Sequence, residues 1–276
     1  MVSDRCRWNV NGRITGGEVA KKHSRPWQVA LVDKIGSKPS CGGMIINSHV
    51  ILTAAHCLDL NIIDQHSLNS LPWYVVTGKH DFNELKTGDY HKICKVLLHE
   101  KWDYHSYDYD FALIYLKHDI SFDYKVSPIC LPDMNSNLAS PDFLYEEKLQ
   151  ISGWGQVDPS DRRSVSDKLM AVDVTVFPDE YCKEIHAIPF TNWTRISERM
   201  ICAGDREGNK DSCQGDSGGK PKSSVFSFYG LFNIILNWRK INQKTRGITS
   251  YVRCRPAYVH RWVQRYVRDW RCFLGR

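Results

Sequence analysis

A glycine-flanked serine, Gly215-Asp216-Ser217-Gly218-Gly219, is the stretch of this 276-residue chain best suited to covalent chemistry. A serine hydroxyl is a poor nucleophile at neutral pH and must lose its proton to a base as it attacks; imidazole is the side chain best matched to that task. Thr53-Ala54-Ala55-His56-Cys57 supplies one in His56. The imidazole must also present the right tautomer and tolerate becoming a cation, which a buried carboxylate on its other nitrogen provides. Asp110, opening Asp110-Phe111-Ala112-Leu113, fits that role. Glycines beside the serine let the backbone turn tightly and aim amides outward, so the N–H groups of Gly215 and Ser217 can hold the oxyanion of a tetrahedral intermediate. Taken singly, a histidine beside a cysteine is ordinary core and Gly-Asp-Ser-Gly an ordinary turn. Together they make a nucleophile, its base and the acid that orients the base.

The rest of the chain must bring these three together. It reads mostly as short runs rich in Val, Ile, Leu and aromatics, separated by Gly, Asn, Asp and Pro clusters, which is the pattern of an all-β sandwich or barrel. Trp27 to Val32, Gly43 to Leu52, Trp73 to Thr77 and Ile93 to Leu98 are examples. Only the end reads as helix, where Tyr258, Trp262, Tyr266 and Trp270 recur four apart with Arg261, Arg265 and Arg268 between them. Ten cysteines without repeated Cys-x-x-Cys spacing argue for disulfides over zinc, and hence for an oxidising, extracellular compartment. Met1 to Gly12 has no apolar core of a signal peptide, which is expected to have been trimmed or never included. Phe226 to Trp238 is too short and too interrupted to span a bilayer. The formal charge of +6 gathers late, because Asp269 is the only acid after Asp216. Such a face suits a heparin-like polyanion or a membrane surface, against the plainer reading of a solvated surface; nothing reads nucleic-acid bases. His99, His105 and the other histidines lack metal spacing and are assigned ordinary surface or core roles.

In their order, His56, Asp110 and Ser217 with their flanking motifs resemble the chymotrypsin and trypsin family of serine endopeptidases, from about Arg13 to Trp270. The resemblance implies two six-stranded antiparallel barrels with a C-terminal helix: a first barrel over about 28–128, a second over about 148–257 and the helix over about 258–272. The catalytic residues would meet between the barrels, with Gly153-Trp154-Gly155 near the start of the second. Arg13-Ile14-Thr15-Gly16-Gly17 resembles an activation site, making 1–13 a propeptide remnant and 14–272 the peptidase domain. Cleavage after Arg13 would free the ammonium of Ile14 to satisfy the buried carboxylate of Asp216 and realign the oxyanion amides. The resemblance also implies disulfides of Cys6 with Cys130, Cys41 with Cys57, Cys182 with Cys202 and Cys213 with Cys254. Cys94 and Cys272 are then left over and are paired by elimination, since connectivity does not follow from sequence. Asp211 stands where trypsin-like members hold the carboxylate at the floor of the primary pocket, which implies substrates with Arg or Lys before the scissile bond.

Some positions depart from the family. Lys79 replaces the first acidic ligand of calcium-binding members, so no metal and no cofactor are expected. Asn192-Trp193-Thr194 is a glycosylation sequon at Asn192. Residues 220–246 run about a dozen residues longer than expected and read either as a genuine insertion or as non-coding sequence translated within a good gene. Ser250-Tyr251-Val252 lacks the glycine expected at the pocket wall, and Ala257 adds a methyl deeper in. The expectation is a secreted, trypsin-like zymogen cleaving after Arg or Lys through an acyl-enzyme, with protein or peptide substrates, an activating protease and protein inhibitors as partners. Two alternatives stay open: a catalytically silent homologue acting as a binding protein, and a protease of apolar specificity.

Overall fold

The structure is a computed structural model that describes residues 17–58, 73–84, 90–106, 108–129, 148–155, 165–181, 201–205 and 225–228. Its strands, in chain order, are β1 (Glu18–Val19), β2 (Gln28–Val32), β3 (Cys41–Ile45), β4 (Val50–Thr53), β5 (Tyr74–Thr77), β6 (Tyr90–Leu98), β7 (Ala112–Leu116), β8 (Lys148–Gly153), β9 (Met170–Val176), β10 (Ile201–Gly204) and β11 (Val225–Phe228). Six of them close into a barrel in the order β2-β3-β4-β7-β6-β5, every pair antiparallel. Closure leaves the barrel no edge strand to protect. The run from Gly43 to Leu52 is two strands, broken at Asn47 to His49: Ile46 N donates back to Val50 O at 2.9 Å, and Asn47 Oδ1 accepts from His49 N. Asparagine is suited to such a turn because its side chain can mimic a backbone carbonyl.

Barrel strands that read as continuous apolar runs are buried on both faces. In β2, Val29 and Leu31 point into the barrel core while Ala30 and Val32 pack outward against the second sheet, with Val76, Trp154, Leu169 and Ala171. β7 divides likewise: Ala112, Ile114 and Leu116 face the barrel core, and Leu113 and Tyr115 join a separate cluster with Trp27, Met44 and Val50. Period-two alternation of side chains therefore serves two cores at once. Gly43 permits close packing here, since a Cβ at that position would lie 3.0 Å from Val29 Cγ2 and 3.1 Å from both Ile51 Cγ2 and Leu52 O.

The expected second barrel is represented, among the described residues, by a five-stranded sheet: β1-β9-β10-β11, with β8 also paired to β9. Gly153 ends β8, and Trp154 and Gly155 follow it directly. This sheet is joined to the barrel by buried polar bonds as well as apolar packing. Ser152 Oγ donates to Gln28 Oε1 at 3.0 Å, and His80 O accepts from both Leu169 N at 2.7 Å and Trp154 Nε1 at 3.3 Å. The expected C-terminal helix and the stretch 220–224 and 229–246 of the expected insertion lie outside the described residues; β11 falls within the remainder of that stretch.

Candidate active site

The register of one strand pair decides where the two described chemical side chains go. β4 and β7 are paired with Thr53 opposite Ala112. His56 lies three residues beyond the end of β4 on a short 3-10 turn, Ala55–Cys57, and Asp110 lies two residues before β7, so both leave the same end of the pair. Asp110 accepts twice from His56: Oδ1 from the backbone N at 2.8 Å and Oδ2 from Nδ1–H at 2.6 Å. The two side chains are almost wholly buried, at 4% and 1% exposure. A carboxylate bonded to Nδ1–H fixes the neutral imidazole with its proton on that nitrogen and leaves Nε2 as the basic atom. The arrangement can take a proton at Nε2 and stabilise the resulting imidazolium at Nδ1, which is general base chemistry.

Two links hold the His56 turn. Thr53 Oγ1 donates to Gly42 O at 2.8 Å, and a disulfide joins Cys57 to Cys41 at the start of β3. Cys41, His56 and Cys57 approach one another closely enough to suggest a metal site, but both sulfurs are spent in the disulfide and cannot serve as thiolate ligands. His56 Nε2 lies 3.7 Å from Cys57 Sγ, a packing contact because that sulfur carries no proton. Lys79, expected to exclude a cation, donates through Nζ to the carbonyl of Glu84, whose carboxylate pairs with Lys22 at 2.7 Å.

Asp110 is presented from a strained backbone. Tyr109 has φ of +54°, a left-handed conformation that a bulky residue adopts at a cost of about 1–3 kcal/mol. Phe111 N donates to Tyr109 O at 2.7 Å, closing the turn tightly around the aspartate. His99, assigned by the sequence to an ordinary surface or core role, lies against this turn: it is buried and stacks on Tyr109. The only hint in the sequence was the aromatic density of Tyr107-Asp108-Tyr109-Asp110-Phe111.

Ser217 and Gly215 lie outside the described residues, as do the pocket positions Asp211, Ser250, Val252 and Ala257, the activation residues Arg13, Ile14 and Asp216, and the sequon at Asn192. Cys94 and Cys202 are each disulfide-bonded, and Cys94 sits at an exposed bulge of β6. Their expected partners, Cys272 and Cys182, and the expected pairs of Cys6 with Cys130 and Cys213 with Cys254 also lie outside the described residues. No helix among the described residues is long and apolar enough to cross a membrane.

Comparison with known proteins bears on the whole arrangement. A sequence model of the family described as Trypsin matches residues 14–225. The chain is 36% identical over 210 residues to the clotting factor G beta subunit of Tachypleus tridentatus, a match covering 75% of this chain and 64% of that protein. It is 35% identical over 216 residues to ovochymase of Halocynthia roretzi, covering 76% of this chain and 13% of that protein. The chain thus spans less than two thirds of the first relative's length and a small part of the second's.

Proposed function

Because the chain belongs to the trypsin family of serine proteases, we propose that it is an endopeptidase that cleaves after Arg or Lys through an acyl-enzyme. The observation that carries this reading is the buried pair in which Asp110 binds both the backbone N and Nδ1 of His56. Ser217 Oγ attacks the scissile carbonyl as His56 Nε2 takes its proton, and the amides of Gly215 and Ser217 receive the oxyanion. Asp110 keeps Nδ1–H directed at itself and stabilises the imidazolium. Collapse of the intermediate expels the amine, protonated by His56, and leaves an ester on Ser217. Water, deprotonated by His56, then releases the acid and restores the hydroxyl.

The peptidase domain spans 14–272 and the protein is a zymogen. Cleavage after Arg13 frees the Ile14 ammonium to pair with Asp216, and until then the oxyanion amides are misaligned. Asp211 selects a basic residue at the floor of a pocket lined by Ser250, Val252 and Ala257. The observed disulfides support an oxidising, secreted location. Partners are protein or peptide substrates, the protease that cuts after Arg13, and protein inhibitors.

The test is to cut the protein after Arg13 and measure labelling by a fluorophosphonate together with hydrolysis of Arg, Lys and Phe peptide esters. Labelling of Ser217 with Arg or Lys turnover is expected. Labelling with Phe turnover alone overturns the specificity, and absence of both labelling and turnover overturns the enzyme and leaves a binding protein.

A further inference from the structure

We propose that His99 is a positioning residue for Asp110: its ring clamps the two aromatic neighbours of that aspartate, Tyr109 and Phe111, and so holds the carboxylate at His56. The inference rests on the reading of Asp110 as the group that orients the base.

The turn around Asp110 has an unusual requirement. The carboxylate must meet two donors at once, the backbone N and Nδ1 of His56, and the backbone reaches that orientation through a left-handed tyrosine. Left-handed backbone is ordinary for glycine and tolerated by asparagine and aspartate, but a tyrosine there persists only where its surroundings over-determine it. His99 contributes to those surroundings, beside the hydrogen bond from Tyr109 N to Asp108 Oδ1 at 3.0 Å and packing against the cluster of Trp27, Met44 and Leu113. Its ring stacks on Tyr109 with centroids 4.6 Å apart and planes 17° from parallel, and meets Phe111 edge-on at 4.7 Å. The residues on either side of Asp110 are therefore gripped by one planar group.

The clamp is anchored in turn. His99 N donates to Phe111 O at 3.1 Å, continuing the pairing of β6 with β7, and His99 Nδ1 accepts from Lys101 N at 3.0 Å. The second bond fixes the orientation of the ring and requires a bare Nδ1, hence a proton on Nε2 in the neutral tautomer. Lys101 Nζ also lies 5.6 Å from the centre of the Tyr109 ring, adding a cation–π contact to the same side chain. A phenylalanine at 99 keeps the stack without the anchor, and alanine keeps neither.

The experiment compares His99→Ala and His99→Phe in the protein cut after Arg13, in the native background and with Tyr109→Gly, which adopts left-handed backbone without a ring to hold. His99→Ala is expected to lower kcat about tenfold at nearly constant KM, the effect of a shift in Asp110 smaller than the misplacement of about 1 Å that costs on the order of 100-fold. His99→Phe should recover most of that loss. In the Tyr109→Gly background the His99→Ala effect should shrink to less than about twofold, because coupled residues are not additive. An equal effect in both backgrounds, or none in the native one, overturns the clamp.

A second readout does not need turnover. The proton between His56 Nδ1 and Asp110 should give a far-downfield NMR resonance that shifts or broadens in His99→Ala. If the native protein neither labels nor hydrolyses, the peptidase reading fails by itself, and an unchanged resonance in His99→Ala then refutes the clamp separately.

Discussion

Removing the disulfide that braces the His56 turn should have a consequence large enough to measure and small enough to leave a folded protein. Cys41 and Cys57 are 16 residues apart, so opening the bond by the pair Cys41→Ala and Cys57→Ala returns to the unfolded chain the entropy of closing a loop of that length. That is roughly 10 cal/mol/K, or about 3 kcal/mol at 25 °C. Both half-cystines are buried against Val29, Ile51 and Ala55 in the barrel core, so the lost sulfur atoms add to this figure. Urea unfolding followed by tryptophan fluorescence should show a loss of about 3–4 kcal/mol, and heating a midpoint lower by about 6–16 °C. The slope of free energy against urea should rise slightly, because an unfolded chain without the crosslink exposes more surface. Replacing both cysteines avoids a stray thiol that could attack another disulfide. A loss under about 1 kcal/mol would refute the reasoning, since the crosslink would then not be restricting the unfolded chain as loop closure requires.

Three further outcomes follow from the same geometry. Asp110→Asn should lower kcat by about 10⁴-fold, the size of effect that a wrong imidazole tautomer has in triads of this kind, while KM for an Arg ester moves little; steady-state kinetics check it, and a loss under tenfold contradicts the assigned role. Gly43→Ala should destabilise by about 1–3 kcal/mol in urea unfolding, because its Cβ would press on Val29, Ile51 and the Leu52 carbonyl at 3.0–3.1 Å; an unchanged midpoint counts against that packing. Burial holds the imidazoles of His99 and His80 below their ordinary pKa, so their contribution to stability is complete above the unfolded value near 6.5 and is lost as pH falls through the lower folded value. The urea midpoint should therefore drop between about pH 7.5 and about pH 5, before the carboxylates begin to titrate, and His99→Phe should flatten the slope; equal midpoints at the two pH values would count against it.

The sequence was most legible where chemistry and local pattern coincide. The histidine after Thr-Ala-Ala and the aspartate before Phe-Ala-Leu, singled out by type and flanking residues, are two that the fold brings together, and the apolar runs at β2, β5 and the later half of β6 announce strands. The hairpin within Gly43 to Leu52 was less legible, because Ile46 continues the apolar run into the turn and only Asn47, Ser48 and His49 break it.

By itself the sequence determined the inventory: an imidazole, a carboxylate, cysteines suited to an oxidising compartment, and apolar runs such as that of β2. Tertiary structure decided the convergence. His56 and Asp110 are 54 residues apart, and what brings them within 2.6 Å is the antiparallel register of β4 on β7, a choice made by hydrogen-bonded pairing across a closed barrel. The left-handed Tyr109 belongs to the same class of decision. A tyrosine has no intrinsic preference for that backbone, and it is tertiary contacts, among them the stacking of His99 and the closure of the turn by Phe111, that accompany it there.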